Sequence, residues 1–421
     1  MWRFSWIRDG GVLAGVLIIA FVVLERWGKR FWFFFDDWDF LLRERLADQT
    51  SARDFLLLLF SPHNEHVSVL PRLWFMAADA LFGLDSYTPY VTASIVVHLA
   101  AAVGGWVLLR QAGTDRLVCL LALLVMAFLG AGAENIFWGF QVGFMGGLMF
   151  GLMALAVTNT AGGRRRRDAL GATLLVAAVL SSGTGIPLVL AVGVAVFLRS
   201  GAVRSIAITL PAVLMLAFAR AIGAVGGSGL GSPSAAIRFA GDELLFAIDA
   251  IFTWEVAGTV CLVGLLLAYA LNRYRQVGHE WVAGMLVAAL SFALLTGISR
   301  SAGFAGPDTS RYLWFQAMLL VPVLAFLVSG AIRSPWVARS IMLVIAVVAL
   351  NHNIQVLREW AVSRPAGIAP NKALLLGLVG DPVLLRDLPG TSQPDPVTSP
   401  QVTIQLLRDA IGRGEFSNSG R

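Results

Sequence analysis

Long apolar segments separated by short clusters of arginine limit the fold of this chain more than any other feature of its sequence. Inside a bilayer every backbone N–H and C=O group needs a partner within the protein, so a segment of about 20 apolar residues crosses as an α-helix. Hydrophobic residues make up 57% of the chain and charged residues 14%, which is more apolar surface than a soluble protein of this size can bury. The sequence therefore predicts an all-α polytopic membrane protein.

The apolar segments predict about eleven transmembrane helices, with flanking arginine and tryptophan at the interface. We place them at 10–27, 88–109, 117–133, 142–160, 169–181, 184–198, 205–224, 256–272, 281–298, 313–331 and 341–356. No small-residue cleavage site follows the first, so we expect an uncleaved span. Residues 1–356 are then a transmembrane catalytic domain and residues 357–421 a small proline-rich tail, in which only Gln401–Ile411 is expected to be helical.

The arginine clusters also predict the orientation of the chain. With a cytoplasmic N-terminus, every inside loop is basic, whereas the outer turns at 134–141 and 181–183 contain no lysine or arginine. This arrangement leaves the C-terminal tail outside. The net charge of +6 is thus accounted for by topology signals, and we expect no nucleic-acid partner.

The first outer loop, residues 28–87, is the longest extramembrane segment within the helical array. Its apolar stretch Leu70–Leu84 contains Pro71, Arg72 and Asp79, and counting it as a span would reverse the sidedness of everything downstream. We therefore expect an interfacial or re-entrant segment there. The remainder of the loop predicts two amphipathic helices, at Trp38–Asp48 and Arg53–Phe60.

Paired carboxylates follow the first span directly, in the segment FWFFFDDWDF at residues 31–40. Acidic residues at a membrane surface are costly to desolvate and are usually retained for chemistry, so Asp36 and Asp37 are the candidate catalytic residues. The same pair could instead end a helix or pair with Lys29 and Arg30.

Further polar residues fall on the same predicted face, in SPHNEHVSVLPR, AENIFWGFQ and GISRSAGFAGPDTSRYLWF. Asp37, Glu65 and His66 have the ligand types for a divalent cation, although a spacing of three between histidines matches no strong zinc signature. AENIFWGFQ could equally be an aromatic interface belt, and the late arginines could be snorkelling anchors. Outside arginines oppose the positive-inside bias, however, and favour a bound anion. The candidate substrate-binding residues are His63, Glu65, His66, Arg72, Glu134, Asn135, Trp138, Gln141, Arg300, Arg311 and Tyr312.

Acids, arginines and aromatic side chains on one outer face fit the transfer of a sugar from a lipid phosphate. That reaction needs a base to deprotonate the acceptor hydroxyl and cationic groups to stabilise the departing phosphate. An aspartate can be the base, and an arginine can hold the phosphate in bidentate fashion. The isoprenoid tail of the donor would lie along the spans.

These motifs resemble those of the GT-C superfamily of polyprenyl-phosphate-sugar-dependent glycosyltransferases, which includes the protein O-mannosyltransferases and the aminoarabinose transferases acting on lipid A. The resemblance rests on FDDWDF, SPHNEHVSVLPRLWF, ENIFWGFQ and SRYLWF, and it covers residues 1–160 better than the rest. It implies a GT-C-like bundle in a bacterial inner membrane, a polyprenyl-phosphate sugar donor, and an envelope glycan, glycolipid or protein as acceptor. It also implies that Asp36 is the catalytic base.

The sequence departs from the better-known superfamily members in two ways. HNEHVSVLP stands where a His-Pro-Pro-Leu type motif is usual, and a short tail stands where those members carry a large outer domain. Two other functions stay open. A transporter or flippase for a lipid-linked sugar or another anionic lipid should show mid-span charges and repeat symmetry, which the sequence does not display. A non-catalytic scaffold would leave the outer acids free to vary.

Overall fold

The computed structural model describes residues 3–43, 51–63, 66–159, 165–223, 231–252, 280–303, 305–331 and 334–412, together with Val260, Gly264 and Phe416. Within these residues the regular structure is helical, which confirms the all-α class. Eight helices are long and apolar enough to cross a membrane. The predicted span at 256–272 lies, apart from two residues, outside the described part of the chain.

The helices are numbered in chain order. They are α1 (Arg3–Gly28), α2 (Ala52–Leu59), α3 (Val69–Phe82), α4 (Thr88–Gln111), α5 (Arg116–Ala127), α6 (Ala133–Phe137), α7 (Val142–Thr158), α8 (Arg165–Ser181), α9 (Gly185–Ser200), α10 (Ala202–Ala221), α11 (Pro233–Ile251), α12 (Glu280–Arg300), α13 (Ser310–Ala331), α14 (Pro335–Gly380), α15 (Pro382–Asp387) and α16 (Ile404–Gly412). The predicted spans at 169–181 and 184–198 correspond to α8 and α9, which have 17 and 16 residues. Both are shorter than the eight long apolar segments, of which Arg116–Phe137 contains α5 and α6 and Gly139–Thr158 contains α7.

Helix α11 was not predicted, because Asp242, Glu243 and Asp249 count against a membrane span. Ser232 caps its start by accepting a hydrogen bond from the backbone N–H of Ala235, 3.2 Å away. Its beginning lies beside the end of α12, and its last residue accepts a hydrogen bond from Asn353 of α14. The helix therefore contacts α12 at its beginning and α14 at its end.

Helix α14 contradicts the expectation that proline breaks up the chain after residue 356. It runs for 46 residues, through Pro365 and Pro370, and is therefore about 69 Å long. Each proline removes one backbone hydrogen bond, but the C-terminal half of the helix packs on the loop after α1, where Trp360 stacks on Phe31 with ring centroids 5.4 Å apart. The prediction of an irregular segment was wrong for 357–380, whereas the predicted C-terminal helix is present as α16.

The first outer loop is built partly as predicted. The expected helix at Arg53–Phe60 is α2, whereas the one expected at Trp38–Asp48 is a short π-helical turn, Asp39–Arg43, after which residues 44–50 lie outside the described chain. The apolar stretch Leu70–Leu84 forms α3, whose 14 residues span about 21 Å and are too few to cross a membrane. The side chains of Arg72 and Asp79 in this helix are buried within the protein.

Three glycines at a spacing of four form one face of α7. Gly143 lies against Pro71 and Ser181, Gly147 against Thr184, and Gly151 against Leu188. Small residues at this spacing let helix backbones approach closely inside a membrane, where packing replaces the hydrophobic effect as the driving force. The stripe holds α7 against α8 and α9, which carry one wall of the cavity described below.

We expect Gly147→Val to destabilise the fold, since a Cβ atom at this position would overlap Thr184. Overpacking of this kind costs about 1–3 kcal/mol, which thermal unfolding in detergent would register as a lower apparent Tm. Gly15→Val in α1 is the matched control, because its Cβ would meet nothing within 4 Å. An equal change in both variants would contradict the close packing of α7.

Candidate active site

Buried aromatic side chains hold the segment that leads to the paired carboxylates. Phe31, Trp32, Phe33 and Phe34 are all at most 4% exposed. Phe33 packs against the ring of Tyr87, just before α4, and against the ring of Tyr90 in α4. Phe34 stacks on Trp138 at a centroid distance of 5.2 Å. Aromatic pairs of this kind contribute beyond the area they bury. The loop is thus fixed to the rest of the fold immediately before Asp36.

Asp37 is completely buried and its two oxygens accept three hydrogen bonds. The donors are the backbone N–H groups of Phe34 and Phe140 and the hydroxyl of Tyr87, at 3.2, 3.0 and 3.2 Å. Burial raises the pKa of Asp37 well above its ordinary value, and the hydrogen bonds from Phe34, Tyr87 and Phe140 oppose that shift. Asp37 does not line the cavity, so its geometry is that of a side chain that joins segments.

A cavity of about 340 Å³ opens beside this loop. One part of its wall is polar and the other is apolar, with Val179, Ile186, Leu216 and Phe292 among the apolar side chains. A pocket with a few convergent polar groups on an apolar wall is the usual form of a binding site for an amphiphilic ligand. The predicted site residues that line it are Asp36, His63, His66, Gln141, Arg300, Arg311 and Tyr312.

Asp36 is partly buried at the edge of this cavity. Desolvation and the charge of Asp39 raise its pKa to about 6, Glu134 adds to the rise, and Arg311 opposes it. A carboxylate with this pKa is ionised at neutral pH and still basic enough to accept a proton from a hydroxyl group. The pKa of Asp36 is therefore in the range that suits a general base.

Two arginines reach the cavity from the facing ends of α12 and α13. Arg300 is the last residue of α12 and Arg311 the second residue of α13, and both line the cavity. Arg311 forms an ion pair with Glu134, with 3.3 Å between Nη1 and Oε1. Glu134 itself does not line the cavity. The beginning of α13 is also fixed by Ser310, whose hydroxyl donates to the carbonyl of Ala131 at 2.6 Å.

The two histidines of the predicted HNEH motif are paired through their backbones. The N–H of each donates to the carbonyl of the other, at 3.0 Å both ways. The ring of His63 packs between those of Phe40 and Phe140, and His66 lies against Gly183, where a Cβ would clash with its ring. Glu65 lies outside the described residues.

The group that could hold a cation differs from the predicted one. Among the described residues, single ligand atoms of Asp36, Asp39 and His63 lie within 4.8 Å of one another. Two carboxylates and an imidazole suit a divalent cation such as Mn²⁺ or Zn²⁺. Of the predicted ligands, Asp37 already accepts three hydrogen bonds and His66 lies elsewhere on the cavity wall.

The remaining predicted substrate-binding residues lie outside the cavity wall. Arg72 is fully buried and donates to the carbonyls of Leu59 and Ser61, so it ties α2 to α3. Trp138 stacks on Phe34, and Asn135 is fully buried in α6. These three support the site from behind without reaching the cavity.

Two residues that the fold brings to the site were not predicted from the sequence. Arg364 of α14 lies over the rings of Phe34 and Phe35, with its guanidinium carbon 5.0 and 5.1 Å from their centroids. Gln401 of the tail donates to Oδ1 of Asp36 at 3.4 Å. Nothing in the local sequence marks either residue, since each reaches the site through the unexpected course of the C-terminal segment.

Comparisons of the chain with protein-family models, curated proteins and solved structures found no match. The structure itself defines a class: an all-helical membrane protein with an amphiphilic cavity at one end of its helix array. The wall of that cavity includes the carboxylate of Asp36 and the side chains of Arg300 and Arg311.

We expect Asp36→Asn to raise the apparent Tm at about pH 8, by about 2 °C or more. The reason is that burial of the ionised carboxylate costs free energy in the folded protein, and the neutral amide avoids that cost. The folded-state pKa of about 6 lies above the ordinary value of 3.8. The cost of ionisation is therefore full above the folded pKa and disappears as pH falls towards the ordinary value. The gain in Tm should vanish near pH 4. Asp85→Asn, in an exposed turn, is the control; a gain that does not vary with pH would refute the assignment.

Proposed function

We propose that this protein is a glycosyltransferase that moves a sugar from a polyprenyl-phosphate carrier to a hydroxyl acceptor. The observation that carries the proposal is the cavity, which joins one raised-pKa carboxylate, two arginines and a long apolar wall in a single space. A lipid-linked sugar phosphate has the matching parts: an anionic group, a polar ring and an apolar chain. The acceptor is an envelope glycan, a glycolipid or a protein, in line with the GT-C resemblance.

Asp36 acts in this reaction as the general base. It removes the proton of the acceptor hydroxyl as that oxygen attacks the anomeric carbon, and the bond from that carbon to the phosphate oxygen breaks. Asp37 holds the loop in place rather than touching substrate, which is a change from the pair of catalytic acids expected from sequence. A divalent cation held by Asp36, Asp39 and His63 would orient these groups, and the reaction as written does not require it.

Arg300 and Arg311 bind the donor phosphate and stabilise the charge that develops on it as it leaves. Arg311 uses one of its donors on Glu134 and retains others for an anion. Tyr312 is 4% exposed, lines the same cavity and shares a side-chain hydrogen bond with Arg311. Its hydroxyl therefore lies where it can contact a sugar or phosphate oxygen beside that guanidinium group.

We further propose about eleven spans, with the cytoplasmic N-terminus and the outer active site and tail expected from the arginine pattern. The protein would lie in a bacterial inner membrane. The proposed topology is supported by the loops after α1, α5 and α12, which meet at one end of the helix array. The segment before α4 lies at the same end.

A transporter or flippase for a lipid-linked sugar is the second candidate, and one observation favours it. Glu243 of α11 is fully buried among helices and receives hydrogen bonds from Thr296, a cavity residue, and from Gln316. Intramembrane acids of this kind often serve in transport. The two functions differ in what Asp36 must do, since only the transferase needs a base at that position.

For the transferase we expect Asp36→Asn to lower the rate of transfer by about 10²–10⁴-fold, because the amide keeps the shape and removes the base. Cells that carry only this variant should accumulate the polyprenyl-phosphate sugar and lose one residue from a surface glycan, which mass spectrometry measures. Asp85→Asn is the control, being an exposed acid of the same outer face. Unchanged transfer in Asp36→Asn would leave the transporter as the better proposal.

We expect Arg311→Lys and Arg300→Lys to raise the KM for the donor, because lysine cannot make the bidentate contact of the guanidinium group. A hydrogen bond to a charged group is worth about 1.5–3 kcal/mol, so the increase should be about 10-fold or more. Arg339→Lys is the control, since Arg339 pairs with Asp115 at the start of α5, away from the cavity. Arginines that serve only as snorkelling anchors would tolerate lysine and leave the KM unchanged.

A further inference from the structure

The C-terminal tail reaches the first outer loop at the residue that precedes Asp36. The backbone N–H of Phe35 donates to the carbonyl of Thr398 at 2.9 Å. Phe35 has φ of 46°, and it is the one non-glycine residue with a positive φ among the described residues. A bulky side chain rarely adopts this left-handed conformation unless its surroundings impose it. The tail is part of those surroundings.

The tail segment that makes this contact is itself anchored to α14. Asp395 accepts hydrogen bonds from the backbone N–H groups of Val397 and Thr398, at 3.0 and 2.9 Å. Its other oxygen accepts from the side chain of Asn371, which is 2% exposed and also donates to Ser399. Asn371 therefore fixes the loop Asp395–Ser399, and with it the carbonyl that holds Phe35.

Gln401 adds a second contact from the same segment, directly to the carboxylate. Its side-chain amide lies 3.4 Å from Oδ1 of Asp36, and a donor must face that oxygen because a carbonyl would repel it. Gln401 does not line the cavity. It therefore contacts Asp36 without forming part of the cavity wall, where the donor is proposed to bind.

We propose that the tail segment Asp395–Gln401 belongs to the active site and that Gln401 is a positioning residue for Asp36. The proposal rests on the proposed role of Asp36 as base. Thr398 holds the strained backbone before Asp36, and the amide of Gln401 orients the carboxylate towards the acceptor hydroxyl. Both contacts depend on the fold of the tail, which sequence patterns assign to no function.

The test compares Gln401→Leu and Gln401→Glu with Gln405→Leu in the full-length protein. Gln405 is the matched control, because its amide contacts Asp409 at the exposed surface of α16. We expect Gln401→Leu to lower kcat by about 10- to 100-fold, the scale of a misplaced catalytic group, with the donor KM unchanged. Gln401→Glu should lose more, since a second carboxylate then faces Asp36. Gln405→Leu should keep wild-type kcat and KM.

A kcat of Gln401→Leu equal to that of wild type, in an enzyme that Asp36→Asn inactivates, would overturn the positioning role and leave the transferase intact. Equal losses in kcat and in donor affinity would also overturn it, because they indicate general damage to the site. If Gln401→Leu does not fold, Gln401→Asn replaces it, as this change withdraws the amide by one methylene and keeps its polarity.

A second measurement separates this proposal from the proposed function. The apparent Tm of wild type, Asp36→Asn, Gln401→Leu and the double variant at a single pH forms a double-mutant cycle that needs no transfer activity. Residues in contact give non-additive effects, and residues without a contact give additive ones. Non-additivity supports the Gln401–Asp36 contact even if the wild type transfers no sugar. Additivity overturns the contact whatever the enzyme does.

Discussion

The buried carboxylate of Asp37 is the interaction on which the rest of the site depends. A buried polar group without a hydrogen-bond partner costs about 1–3 kcal/mol, so the oxygens of Asp37 need donors that replace water. Here the replacements come from three segments: the aromatic loop through Phe34, the start of α4 through Tyr87, and the second outer turn through Phe140. The hydroxyl of Tyr87 in turn accepts the N–H of Gly139 at 2.6 Å. Displacing any one segment would leave a buried oxygen of Asp37 without a donor, so the three segments stay in register and Asp36 lines the cavity.

Sequence patterns predicted the helical class and much of the cavity, but they could not separate Asp36 from Asp37. The arginine pattern placed the right loops on one face, and Asp36, Gln141, Arg300 and Arg311 meet there because helix ends alternate between two faces. The two acids have the same chemistry and the same neighbours along the chain. Their difference arises from donors 50 and 103 residues away, which no local pattern contains. The prolines after residue 356 and the acids of α11 likewise led to the prediction that neither the later part of α14 nor α11 is a helix of the array. Both rules weigh local preference, whereas tertiary packing decides the structure.

The ion pair between Arg311 and Glu134 bears on the proposed binding of the donor phosphate. Glu134 keeps Arg311 in place at the mouth of the cavity, but a carboxylate near the guanidinium also weakens its field for a phosphate. The pair is 3.3 Å long, and the side chains are 28% and 20% exposed, so it is neither tight nor fully desolvated. The remaining donors of the guanidinium stay available. The arrangement holds Arg311 in position and weakens its attraction for an anion without blocking its other donors.

The course of the tail bears on how an acceptor would reach the base. Under the proposed reaction the donor occupies the cavity, and the acceptor hydroxyl must reach the oxygen of Asp36 that Gln401 leaves free. The tail contacts Asp36 through Gln401 and Phe35 through Thr398, and Arg364 of α14 lies over Phe34 and Phe35. An acceptor that reaches Asp36 would therefore meet the tail segment beside it. Under this proposal, the contacts that orient the base also border the place where the acceptor binds.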